Sequence, residues 1–158
     1  MDNQTTQKSN HNTQKTIEQC QKVLGGIISN ADMARHSTSV VVKYAKNSQL
    51  ADLLAGQIEK YDDYVAKAKQ LAKEHGIKIE MPSGISKFFV EKSIKMRFAF
   101  GTCDSKIAEM MIKGTAMGII DLGKLLSRAN LISEDCTQLA KDLLTFEEDK
   151  INILKYYL

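Results

Sequence analysis

The stretch NSQLADLLAGQIEKYDDYVAKAKQLAKEHG, residues 47–76, decides the fold. Leu50, Leu53, Leu54, Ile58, Tyr61, Tyr64, Val65, Ala68, Leu71 and Ala72 recur at three- and four-residue steps, which puts them on one stripe of a helix. Asn47 and Ser48 supply the break and the N-cap, and Gly76 after His75 supplies the stop. On the N-terminal side, Thr16 with Gln19 reads as a capping box that opens a helix running to about Lys46 on Ile17, Leu24, Ile28, Ala31 and Val42. On the C-terminal side, IKIEMPSG around Pro82 is a connection long enough to cross the end of a bundle. A third helical region starts near Ile85, breaks at Gly101-Thr102, resumes at about Asp104 and reaches Arg128. Ser133, followed by Glu134 and Asp135, starts a last helix that carries Leu139, Leu143, Phe146, Leu154 and Tyr157. Outside the short IKIE no alternating strand pattern occurs. The expectation is an all-α protein, an antiparallel four-helix bundle with an extra or broken helix segment before the third helix.

The chain of 158 residues, 43% of them hydrophobic, suits one domain able to bury a core without disulfides or metals. That domain is expected to span residues 16–158. Residues 1–15 hold Asn, Gln, Thr, Ser and Lys with almost nothing apolar, and read as a flexible polar tail. One proline and nine glycines argue against a loop-rich sandwich. A net charge of +3 is too balanced for a dedicated nucleic-acid binder. No apolar run reaches the roughly 18 residues of a spanning helix, and the N-terminus lacks the apolar core of a signal peptide. A cytoplasmic location is expected. Cys20, Cys103 and Cys136 are odd in number and share no close spacing, so they read as free thiols rather than a disulfide or zinc framework. Cys136 lies in the first turn of the last helix, where the dipole favours a thiolate, but no His or second Cys stands near it in sequence.

Two stretches carry a family resemblance: SKIAEMMIKGTAMGI, residues 105–119, and FEEDKINILKYYL, residues 146–158. They resemble a group of short ferritin-like proteins of unknown function found mainly in anaerobic, spore-forming bacteria, and LGGIISNADMA, residues 24–34, fits that group's first helix. The resemblance implies a ferritin-like bundle and a possible association with spores. It implies no established activity.

A ferritin-like bundle raises the question of a di-metal centre, which takes a Glu from each of two helices and a Glu-x-x-His from each of the other two. The sequence contains no Glu-x-x-His. Its histidines are His11 in the tail, His36, and His75 at the end of the second helix, and Lys150 stands three residues after Glu147 where the motif would want His. The helical wheel puts Arg35, Gln57, Asp121, Glu147 and Lys150 at inward polar positions, with Glu59 on the solvent side. Arg35, Asp121, Glu147 and Lys150 are therefore expected to form a buried charge network, because an unpaired buried charge costs several kcal/mol. No resident metal or other cofactor is expected, and iron, manganese and zinc are all expected to be substoichiometric. The rival reading is an oxidative-stress or metal-binding protein with an atypical carboxylate set drawn from Asp32, Glu109, Asp121, Glu147 and Glu148.

No GxSxG, GxxxxGK[ST], HExxH or CxxC occurs, which removes the standard hydrolase, nucleotide and redox motifs. Gly25-Gly26, and the pair Gly114 and Gly118, read as places of close helix approach. Four of the five phenylalanines gather in ISKFFVEKSIKMRFAF, residues 85–100. Ile85, Phe88, Phe89, Met96, Ala99 and Phe100 make one stripe of that helix, while Val90, Ile94 and Phe98 fall on the other side. A helix apolar nearly all round needs cover on both sides, and one bundle covers one. The segment is therefore expected to present Phe88, Phe89, Lys92, Met96, Phe98 and Phe100 to another protein, most simply as a homodimer. The competing expectations are a segment laid across the bundle end and, supported by Lys87, Lys92, Lys95 and Arg97, a membrane surface. The function expected is a non-enzymatic structural or interaction module.

Overall fold

The computed structural model describes residues 3–79, 84–130 and 132–158. Five helices follow in order: α1 (Asn3–Val41), α2 (Ser48–Glu74), α3 (Gly84–Phe98), α4 (Asp104–Arg128) and α5 (Glu134–Leu154). Short 3-10 turns at Val42–Tyr44 and Lys155–Tyr157 extend α1 and α5. The described residues contain no strand, IKI of the short alternating run included. The connection at Pro82 and the side chains of His11 and Ile85 lie outside the described residues.

Local chemistry accounts for the boundaries. The Asn47 side chain caps α2 by accepting from the Leu50 amide at 3.1 Å. At the other end Gly76 takes φ +65°, and the Ile77 amide donates to the Ala72 carbonyl at 2.7 Å, closing the helix with a left-handed turn. The start of α1 departs from expectation. The helix begins at Asn3, so residues 3–15 are helical rather than an irregular tail. The segment contains neither Gly nor Pro to stop the winding, and residues 12–15 stay exposed. Thr16 accordingly does not cap; its hydroxyl donates to the Asn12 carbonyl one turn back, at 3.0 Å.

Contacts at the two ends fix the topology. The Lys46 and Asn47 amides donate to the Asp104 carboxylate at 2.8 and 3.1 Å, which joins the α1–α2 turn to the start of α4. At the opposite end Gln21 donates to the Lys78 carbonyl, and His75 meets Asp135. Thus α4 runs parallel to α2, α5 runs parallel to α1, and the chain must return along the bundle between α2 and α4. That single long crossover is the connectivity of ferritin-like bundles.

α3 makes the crossover. It climbs beside α1 in register: Lys87 pairs with Asp32, Glu91 faces His36 at 3.6 Å, and the Phe98 ring meets Tyr44 edge-on at 5.1 Å. It lies along the flank of the bundle, not across its end. Ile94 and Phe98 are the side that packs inward, with Val90 partly buried beside them.

The interior has two apolar cores. One gathers Val23, Leu24, Ile27, Tyr61, Ala68, Leu122, Cys136 and Leu143. The other gathers Val41, Leu50, Leu54, Ile94, Phe98, Ile107 and Leu154. Between them, at the middle of the helices, lie the buried polar side chains Thr38, Gln57, Thr115, Glu147 and Lys150.

Candidate functional site

The polar layer is built from all four bundle helices. Glu147 and Lys150, three residues apart on α5, point one turn apart into the interior, and they are 0% and 2% exposed. The Asn30 amide on α1 donates to Glu147 Oε2 at 3.2 Å, and the Tyr61 hydroxyl on α2 donates to Glu147 Oε1 at 3.4 Å. The Lys150 ammonium donates to the same Tyr61 oxygen at 3.2 Å and stands 4.9 Å from the ring centre. The two charges are therefore linked through the phenol, which accepts from one and donates to the other. Edge-on contact with Phe146, at 5.3 Å between centroids, holds the Tyr61 ring.

Desolvation dominates the electrostatics here. Burial pushes the Glu147 carboxyl up to about 7, against the opposing pull of Asn30, Lys150 and Tyr61. Burial brings the Lys150 ammonium down to about 8, opposed by Glu147. The Tyr61 hydroxyl is driven well above its ordinary range by burial first and by the neighbouring Glu147 second. The Gln57 Oε1 atom is buried without a hydrogen-bond partner.

This donor set does not fit the pair of divalent ions that a ferritin-like fold implies. It offers one carboxylate, no imidazole and a single unpartnered amide oxygen, while an ammonium held by Tyr61 takes up part of the interior. Two divalent ions need dense negative charge, and Lys150 repels them.

The atypical carboxylate set does not come together. Asp32 is buried but faces Lys87 and Arg35; burial raises its carboxyl, and the hydrogen bonds from these two cations outweigh that and hold it below the ordinary range. Glu109 pairs with Lys113 on the surface, Glu148 is exposed, and Asp121 is exposed beside Lys124. Two members of the expected charge network fall outside it. Asp121 sits one step before Leu122, the residue that faces the core, and so turns to solvent. Arg35 lies on the rim, bonded to Asp32 at 3.1 Å and Asp62 at 3.3 Å, where its guanidinium keeps its hydration.

A cleft of about 810 Å³ opens between α1, α3 and α4, with Met33, Phe89, Met111, Met117 and Arg97 among its walls and Lys150 lining it from the interior. Gly114 and Gly118 both line the cleft, for different reasons. A β-carbon on Gly118 would lie 2.7 Å from Asn30 Oδ1, so that glycine makes room for the side chain holding Glu147. A β-carbon on Gly114 would meet nothing within 4 Å. Gly26 admits the end of Leu125, whereas Gly25 admits nothing.

On the outer flank Phe88, Phe89, Met96 and Phe100 are exposed, Phe100 fully so, and Lys92 is exposed with them. Phe98 does not belong to this surface. It is 4% exposed and packs on Tyr44, because it shares the inward stripe of Val90 and Ile94.

The bundle end holds a constellation that the sequence alone does not announce. His75 Nε2 lies 2.8 Å from Asp135 Oδ2. The Asp135 carboxyl sits down at about 2, held there first by the Ser133 hydroxyl and then by His75 and the Cys136 amide. Cys136 is fully buried, and burial pushes its thiol up to about 12; Cys20, also buried, is hydrogen-bonded to Ser133. Cys103 is exposed and apart.

The fold as a whole is similar to that of a dodecameric thioferritin in the bacterial domain, the bacterioferritin-related protein from Bacteroides fragilis. The TM-score is 0.71, over 96% of this chain and 92% of that one, at 11% sequence identity. The likeness shows a ferritin-like fold. No family model matches the chain, and no curated protein compared with it matches either. No described helix is long and apolar enough to cross a membrane.

Proposed function

We propose that this chain is a ferritin-like bundle that has given up metal chemistry at its midplane and works in the cytoplasm as a self-associating structural or interaction module. The observation that carries the reading is Lys150: an internal ammonium, bonded to Tyr61 and balanced by Glu147, stands among the side chains where a di-metal centre would need carboxylates and imidazoles. The partner is a second copy of the chain. Phe88 and Phe89 meet edge-on at the surface with their centroids 6.0 Å apart, and Met96 and Phe100 extend the apolar flank of α3. Exposed apolar surface of this kind on a stable helix marks an interface. The fold's likeness to a protein described as dodecameric agrees with self-association.

Two measurements test this. Light scattering at tens of micromolar is expected to show an oligomer, a two-fold dimer being its simplest form, and Phe88→Glu with Phe89→Glu is expected to dissociate it with the helical circular dichroism retained. Elemental analysis is expected to find iron and manganese far below one per chain. A wild-type monomer would remove the interface, and two tightly bound transition metals per chain would remove the non-metal reading.

A further inference from the structure

At the end of the bundle where α2 stops and α5 begins, the ligand atoms of His75, Asp135 and Cys136 lie within 4.8 Å of one another. Among the described residues no other group of three His, Cys or acidic side chains converges in this way. Each member is placed by rigid backbone. His75 is the cap residue of α2, its amide donating to the Leu71 carbonyl at 2.9 Å, and the left-handed Gly76 fixes the chain just beyond it. Asp135 and Cys136 occupy the first turn of α5, where the Asp135 carboxylate also accepts from the Cys136 amide at 2.7 Å. A helix-end ion pair accounts for His75 and Asp135. It does not account for a buried thiol within reach of both.

We propose that His75, Asp135 and Cys136 bind a zinc ion, with water as the fourth ligand on the side where His75 and Asp135 are open to solvent. Thiolate, imidazole and carboxylate together are the ligands of a borderline-soft ion, not of calcium or magnesium. Bond lengths of about 2.0–2.3 Å put tetrahedral corners roughly 3.3–3.8 Å apart. The three atoms therefore close on an ion by small rotations, the 2.8 Å contact between His75 and Asp135 opening slightly. On binding, zinc takes the place of the Cys136 thiol proton, which passes to solvent. Cys20 stands outside the triangle and supports it, its sulfur accepting from the Ser133 amide at 3.4 Å at the cap of α5. The ion would tie the C-terminus of α2 to the N-terminus of α5, and so one helical hairpin to the other. The site is separate from the polar midplane and independent of the function proposed above. It revises one expectation from sequence, since zinc is now expected at one per chain.

The test is a cobalt titration of the reduced, metal-free, full-length chain. The expected result is thiolate-to-cobalt charge-transfer absorption with tetrahedral d–d bands, saturating at one cobalt per chain and displaced by zinc. Cys136→Ser abolishes the charge-transfer band, His75→Ala and Asp135→Ala each weaken cobalt binding by about 100-fold or more, and Cys103→Ser changes nothing. His75 and Asp135 are partly exposed, so their variants keep the fold and carry the test even if Cys136→Ser loses it. No charge-transfer band in the wild type, a band that survives Cys136→Ser, unweakened binding in both alanine variants, or a band that follows Cys103 would each overturn the proposal.

Discussion

Substituting Glu147 by alanine removes the acceptor of the Asn30 and Tyr61 hydrogen bonds and leaves the buried Lys150 ammonium without its counter-charge. Between about pH 7 and 8, where both groups carry charge, breaking the buried pair from one side costs about 3–5 kcal/mol. The pH dependence separates this mechanism from simple loss of packing. The Glu147 carboxyl is raised from 4.5 to about 7, so it contributes stability that is fully present below 4.5 and is lost as pH rises through about 7. At ~1.4 kcal/mol per pH unit, that contribution is on the order of 3 kcal/mol. The Lys150 ammonium is lowered from 10.5 to about 8, so its contribution is present above 10.5 and is lost as pH falls through about 8. Glu147→Ala discards the low-pH contribution, and without the carboxylate Lys150 is lowered further. The loss should therefore be larger at pH 5 than at pH 9, by about 3 kcal/mol. Lys150→Met should show the mirror image, with the larger loss at pH 9. Urea melts at the two pH values measure both, with unchanged m-values showing that the denatured states are comparable. Losses that are equal at the two pH values, or as small as the ~0.5 kcal/mol expected of the exposed Glu148→Ala, would refute the internal charge pair.

The glycines of α4 should respond in opposite senses. Gly118→Ala forces Asn30 away from Glu147 and should lower stability by about 1–2 kcal/mol, whereas Gly114→Ala enters open space and should raise it by about 0.5–1 kcal/mol; thermal melts of the two variants check this. On α3, Phe98→Glu should destabilise each protomer by about 3 kcal/mol or more. Under dilute conditions where the chains are monomeric, Phe100→Glu should leave a urea melt within about 0.5 kcal/mol of wild type, and a similar loss from both would show that α3 is wrongly phased.

Local signals made the helices legible. Asn47, by its side-chain cap, and Gly76, by its left-handed backbone, mark helix ends with local chemistry that works without knowledge of the fold, and the break at Gly101 follows from the same logic, its φ being +94°; Ser133 stands at the N-cap position of α5 without a side-chain cap bond. The inward placing of Glu147 and Lys150 was legible because the apolar arc of α5 is regular on both sides of them. Asp121 was misplaced because apolar residues, among them Met117, Ile120, Leu122 and Leu125, lie on every side of it on the wheel, so residue type there does not mark which arc of α4 the core claims. Phe98 was grouped with the exposed rings because residue type alone cannot say which side of an all-round apolar helix a bundle will claim. The zinc ligands were not legible as a motif, since they come from the end of one helix and the start of another, 60 residues apart. A signal did exist. His75 is the last residue before a helix-stopping glycine and Cys136 lies in the first turn of the last helix; a single-crossover bundle brings those two ends together.

The polar midplane bears on why one packing is adopted. Two apolar cores alone would tolerate a slip of one helical turn between the α1–α2 hairpin and the α4–α5 hairpin, since most of their residues are interchangeable aliphatics. The layer between them does not tolerate it. Asn30 and Tyr61 come from the first hairpin and Glu147 and Lys150 from the second, and each of the three hydrogen bonds among them crosses from one hairpin to the other. A slip of about 5.4 Å would drive the Lys150 ammonium into one of the aliphatic layers and strand the Glu147 carboxylate, a penalty of several kcal/mol. In a metal-binding bundle the ions hold the helices to one register by coordination. Here an internal cation does so by hydrogen bonding through a phenol, so the register is set by side chains alone, as the function proposed above requires.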